Sequence, residues 1–248
     1  MMVGRPVQLI VDKKAHAPGE VVLEVKDLSV LDADGRTMVD SVSFSVRAGE
    51  VVGIAGVQGN GQTELVDALT GLRNSTRGRV ALDGQDITSA SPRVRHAKGI
   101  AHIPEDRQRQ GLVGGLSIAE NLVLTRYHDE EFSNGIVMDW PVAHSVAENL
   151  IAEYDIRTPS ADIEASTLSG GNQQKVIVAR ELSRPLRLSI AAQPTRGVDV
   201  GSIEYIHSRI IKERDTGTAV LIVSTELDEV MALSDRLLVM YRGKIVAD

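Results

Sequence analysis

The segment Gly56-Val57-Gln58-Gly59-Asn60-Gly61-Gln62-Thr63 has the residue types and spacing to hold a polyphosphate. It follows an apolar run, Val51-Val52-Gly53-Ile54-Ala55, and opens a helical stretch from about Thr63 to Leu69. Glycines at 56, 59 and 61 let backbone N–H groups converge on phosphate oxygens without side chains in the way. The helix that follows adds the partial positive charge of its N-terminus. The expected phosphate-binding residues are Gly56, Gly59, Asn60, Gly61, Gln62, Thr63 and Glu64, with the Thr63 hydroxyl as a weak ligand for Mg²⁺. The usual phosphate loop carries lysine where Gln62 stands. Glutamine donates a hydrogen bond but brings no charge, and a charge-assisted bond is worth about 1.5–3 kcal/mol. Nucleotide binding is therefore expected to be about 10- to 100-fold weaker than with lysine. Taken by itself, the loop also fits a glycine-rich strand-to-helix turn that binds nothing.

A second segment decides between these readings. Leu168-Ser169-Gly170-Gly171-Asn172-Gln173-Gln174-Lys175 lies about 105 residues later, ahead of a helix running to Leu182. Ser169 and the amides after it can offer donors to a phosphate at a helix N-terminus. At this distance from a phosphate loop, the segment resembles the signature motif Leu-Ser-Gly-Gly-Gln of the ABC ATPase family. The Asn-Gln-Gln version resembles the group that imports simple sugars and nucleosides. The resemblance covers Val21 to Asp248 and implies ATP and Mg²⁺ as ligands. It implies a role for Leu168, Ser169, Gly170, Gly171, Asn172 and Gln173 as the signature motif. Pro194-Thr195-Arg196-Gly197-Val198-Asp199 resembles the segment after the Walker B strand, with Asp199 in the D-loop. Glu105, in Ile103-Pro104-Glu105-Asp106-Arg107, stands where the family has the glutamine of its Q-loop, although a solvated charged turn also fits those residues.

Four departures from the family, at positions 62, 192, 193 and 225, replace its Lys, Asp, Glu and His. Its Walker B strand ends in Asp-Glu, the first holding Mg²⁺ through water and the second polarising the attacking water. Ala192 and Gln193 stand at those positions, and Thr225 stands where the family has its switch histidine. Val30, Leu31 and Asp32 occupy the neighbourhood of the adenine-stacking aromatic residue, and Trp140 reads as a packing residue of the helical insert. Glu105 and Glu226 are candidates to restore part of the missing charge. Phosphoryl transfer depends on positioning and charge neutralisation, and losing a general base costs about 10²–10⁴-fold. No confident catalytic residue remains, and hydrolysis at this chain's own site is expected to be very slow.

In the family two such domains pair head to tail, and each ATP lies between one domain's loop and the other's signature motif. The resemblance thus implies two partners: another ABC ATP-binding domain and the membrane permease subunits. The intact signature motif would complete the partner's site. Residues 1–20 read as a linker, and the chain reads as the second, degenerate half of a tandem polypeptide. The expected location is the cytoplasmic face of the membrane, reached through the permease. Two other readings stand beside this one. A working transport ATPase needs Gln62 and Gln193 to be tolerated, and Ala192 speaks against it. A soluble ABC protein acting on nucleic acid or ribosomes typically inserts a coiled coil or a basic linker, and the sequence has neither.

The elements that must position these residues follow a strand–helix alternation. Val21–Val25 and Val42–Val46 read as strands around a polar turn at Asp34-Gly35, and Arg79–Leu82 as another. Gly71 suits a helix stop. From Ser91 to Thr167 the signals are mostly helical: Ser117-Ile118-Ala119-Glu120 has capping-box spacing, and Asp139 can cap a helix with Pro141 in its first turn. Beyond Thr167, strands at Leu186–Ala191 and Ala219–Val223 alternate with helices at Asn172–Leu182 and Ser202–Arg214. A last strand pair at Leu237–Tyr241 and Lys244–Val246 flanks Arg242-Gly243. The expected fold is α/β and P-loop NTPase-like: a mostly parallel sheet, an antiparallel β subdomain, and a helical subdomain inserted at about 91–166 of an ABC domain spanning 21–248.

Bulk properties agree with a globular domain. The chain has 248 residues, 42% hydrophobic and 25% charged, with net charge -7, which disfavours nucleic acid as a partner. No apolar run approaches the roughly 18 residues of a membrane span. With no cysteine, disulfides and thiolate metal sites are excluded, and the six histidines show no metal-ligand spacing.

Overall fold

The computed structural model describes Lys13 and residues 17–248, and the expected linker at 1–20 falls mostly outside those residues. The chain forms two compact units. One holds the residues up to His102 together with Pro185–Pro194 and His207–Asp248, and the other holds Ile103–Arg184 and Thr195–Ile206.

The first unit begins with β1 (Val21–Leu31) and β2 (Thr37–Arg47), paired antiparallel. Asp32 makes the turn by accepting the N–H groups of Asp34 and Arg36 on one carboxylate oxygen, at 2.9 and 2.8 Å. Next come β3 (Val51–Ala55), α1 (Gln62–Thr70), β4 (Arg77–Leu82), β5 (Gln85–Asp86), α2 (Pro92–Ala97) and β6 (Ile100–Ile103), whose last residue opens the second unit. In the second unit a π-helical turn, Arg107–Gly111, precedes α3 (Ile118–Val123), α4 (Trp140–Glu153) and α5 (Gly170–Leu182). The chain returns through β7 (Leu188–Ala192), α6 (Val200–Asp215), β8 (Ala219–Ser224), α7 (Leu227–Leu233), β9 (Arg236–Tyr241) and β10 (Lys244–Ala247).

Two sheets result. The antiparallel one has the order β2-β1-β4-β5, and the larger one runs β10-β9-β3-β8-β7-β6. Strand β3 pairs parallel with β8 and β9, and β7 pairs parallel with β8. Every residue of β3, β7 and β8 is buried, as continuous apolar strands covered on both faces must be. The stretch 91–166, which reads as mostly helical, contains β6, a strand of the main sheet.

Arg95 on α2 anchors the helix behind the phosphate loop. It is 2% exposed, and its guanidinium donates to the carbonyls of Ala68 and Leu69 at 2.9 and 2.6 Å and to those of Ala90 and Thr88 at 2.9 Å each. It thereby takes up orphan carbonyls at the C-terminus of α1, and burial lowers its pKa from the ordinary arginine value. Gly71 ends α1 in the left-handed region, at φ 81°.

Within the second unit, Ser117 forms the expected capping box, accepting from the Glu120 N–H while Glu120 accepts from the Ser117 N–H. Asp139 caps α4 through the Val142 N–H. Asn121, fully buried, accepts from the Val113 N–H and donates to the carbonyls of Val113, Leu116 and Ser117. Trp140 corrects an expectation: it is 50% exposed at the start of α4, so it does not fill the core of the insert.

Candidate functional site

In the first unit the site is built at the carboxyl ends of β3, β8 and β7, where open α/β sheets place their ligands. The phosphate loop leaves β3 at Gly56 and enters α1 at Gln62. Gly61 sits at φ 100° as the residue before the helix, and no side chain caps α1 there. A Cβ at Gly61 would collide with the Met38 carbonyl, so the position needs glycine for both its φ and its packing. Asn60 pins the loop. Its Nδ2 donates to the Val57 carbonyl at 2.8 Å, its Oδ1 accepts the Arg242 N–H at 2.8 Å, and its backbone carbonyl accepts the Gly243 N–H at 2.9 Å. The β9–β10 turn is therefore part of the loop's support, a role that no local pattern announces.

Gln62 is 7% exposed and reaches back across the loop. Its Nε2 is buried without a hydrogen-bond partner, and a Cβ built on Gly56 would lie 2.6 Å from it. An orphan donor of this kind costs about 1–3 kcal/mol, a cost that a phosphate oxygen in the loop would offset. The first-turn amides of α1 have no intrahelical acceptor and point the same way as the helix dipole. The residues present thus fit the phosphates of a nucleotide. Thr63 is exposed at the start of α1, and Glu64 is half-buried beside it.

The ends of β7 and β8 are uncharged. Ala192 is 6% exposed. Gln193 follows it in the left-handed region at φ 49°. Its Nε2 donates to Thr225 Oγ1 at 3.2 Å, and its Oε1 accepts from Ser224 Oγ, the Thr225 N–H and Thr225 Oγ1, each at 3.3 Å. Among the described residues no group of three or more His, Asp or Glu side chains is placed to hold a metal ion. Thr63 alone does not make a Mg²⁺ site, which ordinarily needs one or two carboxylates besides the phosphates.

The second unit brings together Glu105, Arg107, the signature segment and the 195–199 segment. Arg107 donates to the carbonyls of Arg196 and Gly197 at 2.7 and 3.2 Å, and its guanidinium lies where a Cβ on Gly170 would be 2.8 Å away. Glu105 is committed to Arg196, with Oε1 to Nη1 at 2.5 Å. Ser169 is exposed and caps α5, its Oγ accepting from the Asn172 N–H and Nδ2 at 3.4 and 3.1 Å. Asn172 accepts the Arg157 N–H, and Gln173 donates to the Ala165 carbonyl. Leu168 lies partly buried ahead of the cap. A Cβ on Gly171 would overlap Asp199 and Ser202. Asp199 accepts from the Ser202 N–H and hydroxyl, at 3.1 and 2.8 Å, and the hydroxyl bond is the main reason its pKa is lowered. The π-helical turn after Glu105 is capped by Asp106, which accepts the N–H groups of Gln108 and Arg109. Sequence reasoning missed the Arg107 contacts, because their acceptors are main-chain atoms about 90 residues away.

A glycine-rich strand-to-helix loop at the strand ends and a separate Ser-Gly-Gly helix start define a nucleotide-binding cassette. The profile of the family described as ABC transporter matches residues 39–196, and the chain belongs to that family. It is 48% identical to the nucleoside import ATP-binding protein NupA of Lactococcus lactis over 245 residues, covering 99% of this chain and 48% of that protein. It is 48% identical to the guanosine import ATP-binding protein NupO of Bacillus subtilis, covering 100% of this chain and 48% of that protein. Identity to the ribose import ATP-binding protein RbsA of Chromobacterium violaceum is 40%, covering 98% of this chain and 47% of that protein. The chain therefore spans about half the length of the curated relatives it matches. Among solved structures, a nucleotide-free ATP-binding cassette from an ABC transporter superposes with a TM-score of 0.75 at 24% identity, covering 92% of this chain and 90% of that one. A dimeric bacterial ABC transporter cassette gives 0.77 at 21%, covering 91% and 97%. These establish the α/β ABC ATPase fold.

Proposed function

We propose that this chain is a nucleotide-binding domain of an importer for nucleosides or simple sugars, whose own loop holds ATP without turning it over at an appreciable rate. Its signature segment, Leu168 to Gln173, serves the site of a second ABC domain, with Ser169 and the α5 amides facing that domain's nucleotide and Asp199 beside them. The second domain is the first half of the same polypeptide, a reading supported by relatives about twice as long as this chain. Permease subunits bring the assembly to the cytoplasmic face of the membrane. The importer class, nucleosides or simple sugars, is supported by the nucleoside, guanosine and ribose importers among the relatives.

One observation carries the division of labour. Where phosphoryl transfer needs a metal-holding acid, a base and a γ-phosphate contact, the strand ends present Ala192 and a glutamine already bonded to Thr225. When bound, ATP would supply the phosphoryl group; this chain's residues bind and orient the phosphates, and Ala192, Gln193 and Thr225 place no proton acceptor at them. Phosphate release by the chain alone tests the reading. Rates at least about 10²-fold below those of an active transport ATPase are expected, and turnover at the active rate overturns it.

A further inference from the structure

We propose that the phosphate loop takes a nucleoside di- or triphosphate as the free anion, with no requirement for Mg²⁺; this rests on the nucleotide-binding reading above and concerns the same loop. The anion side of the argument is the Gln62 amide, 7% exposed, unpartnered at Nε2 and lying against Gly56. It stands at the start of the nine-residue helix α1, whose N-terminus has no side-chain cap. These are donors waiting for oxygen, and none of them needs a metal to bridge it to phosphate.

The metal side is what the site lacks. Mg²⁺ asks for octahedral oxygen ligands and is usually held by one or two carboxylates plus phosphates. Strand β7 lies two strand spacings from β3, about 10 Å, and offers the methyl group of Ala192. The side chain after it, Gln193, already accepts from Ser224 and Thr225 at Oε1. Glu64 follows Thr63 on α1, and adjacent helical residues do not face one point.

Charge makes the two halves consistent. A polyphosphate beside ionised acids needs a cation to screen their repulsion. Here the strand ends carry no acid at 192, 193 or 225, and the acid that follows them, Glu226, is exposed at the start of α7, so the free anion meets less of that repulsion. Thr225, tied to Gln193, gives the γ-phosphate no dedicated partner, so ATP and ADP are held alike.

The test is a titration of this chain with fluorescent ATP and ADP analogues, in excess EDTA and in excess Mg²⁺ at matched ionic strength. Dissociation constants within about threefold across all four conditions are expected. Tightening by about tenfold or more on adding Mg²⁺ overturns the inference while leaving the nucleotide-binding reading in place. Absence of binding in every condition overturns both. Gln62→Ala is expected to weaken binding by about tenfold with and without metal, and unchanged binding there removes the loop as the site. Ala192→Asp, checked for a native circular dichroism spectrum, is expected to bind about tenfold better with Mg²⁺ than without. Metal-insensitive binding by that variant defeats the argument from β7.

Discussion

Gln193 and Thr225 hold each other: the Gln193 Nε2 donates to Thr225 Oγ1 at 3.2 Å, and its Oε1 accepts the Thr225 N–H at 3.3 Å. The two positions expected to correspond to the family's base and switch histidine are thus joined as a clasp between the ends of β7 and β8. A lone Gln193→Glu would keep the same acceptor contacts and still lack a metal ligand beside it. Phosphate release is expected to stay at background in that variant. The triple variant Gln62→Lys, Ala192→Asp, Gln193→Glu is expected to raise it by about 10²-fold. Restoration by Gln193→Glu alone would show that the missing base is the sole defect.

Arg95 supports the helix behind the loop, and its removal should be felt in stability first. Arg95→Leu leaves the carbonyls of Ala68, Leu69, Thr88 and Ala90 without its donors in a buried site. We expect a loss of about 2–4 kcal/mol in urea unfolding. An unchanged midpoint would mean that water replaces the guanidinium at no cost.

Gly171→Ala sets helix propensity against packing. Alanine gains up to about 1 kcal/mol over glycine in a helix interior, and less in the first turn where Gly171 stands, while its Cβ overlaps Asp199 and Ser202, which are bonded to each other. Overpacking of this kind costs about 1–3 kcal/mol, so the expected net outcome is a lower thermal midpoint. A rise in the midpoint would show that the 199–202 segment yields freely.

Asp199 also predicts an acid limb. Its folded pKa is lowered, chiefly by the Ser202 hydroxyl. The stability it contributes is therefore complete above the ordinary carboxylate value of about 4 and is lost as pH falls through the lowered folded value. Asp106 and Asp155 shift in the same direction, Asp106 chiefly through the Arg109 N–H and Asp155 chiefly through its bond to Lys175. Urea midpoints from neutral to acid pH should fall less steeply in Asp199→Asn than in the parent, and identical slopes would remove Asp199 from the account.

What the sequence made legible is local. The capping box at Ser117, the Asp139 cap, the Gly71 stop and the glycine loop each lie within a few residues, and each stands where its pattern places it. Strand β6 was hidden, because four residues after the helical signal of α2 carry little periodicity and their neighbour β7 arrives about 85 residues later. Arg95 carried no sequence signal and Asn60 read only as a phosphate-loop residue, because nothing adjacent to them announces that distant carbonyls and a distant turn will close over them. At the site, the uncharged residue types at 62, 192, 193 and 225 are read directly from the sequence. The engagement of Gln193 by Thr225 and of Glu105 by Arg196 needed coordinates, since each joins positions tens of residues apart.

Arg107 grips Arg196 and Gly197 by their main-chain oxygens and not by their side chains. A fastening of this sort is indifferent to what residue 196 displays: Arg196 can mutate, losing its pairing with Glu105, while the guanidinium stays seated. The fastening thus depends on the single side chain of Arg107, and the φ of 65° at residue 197 is one that glycine adopts without strain.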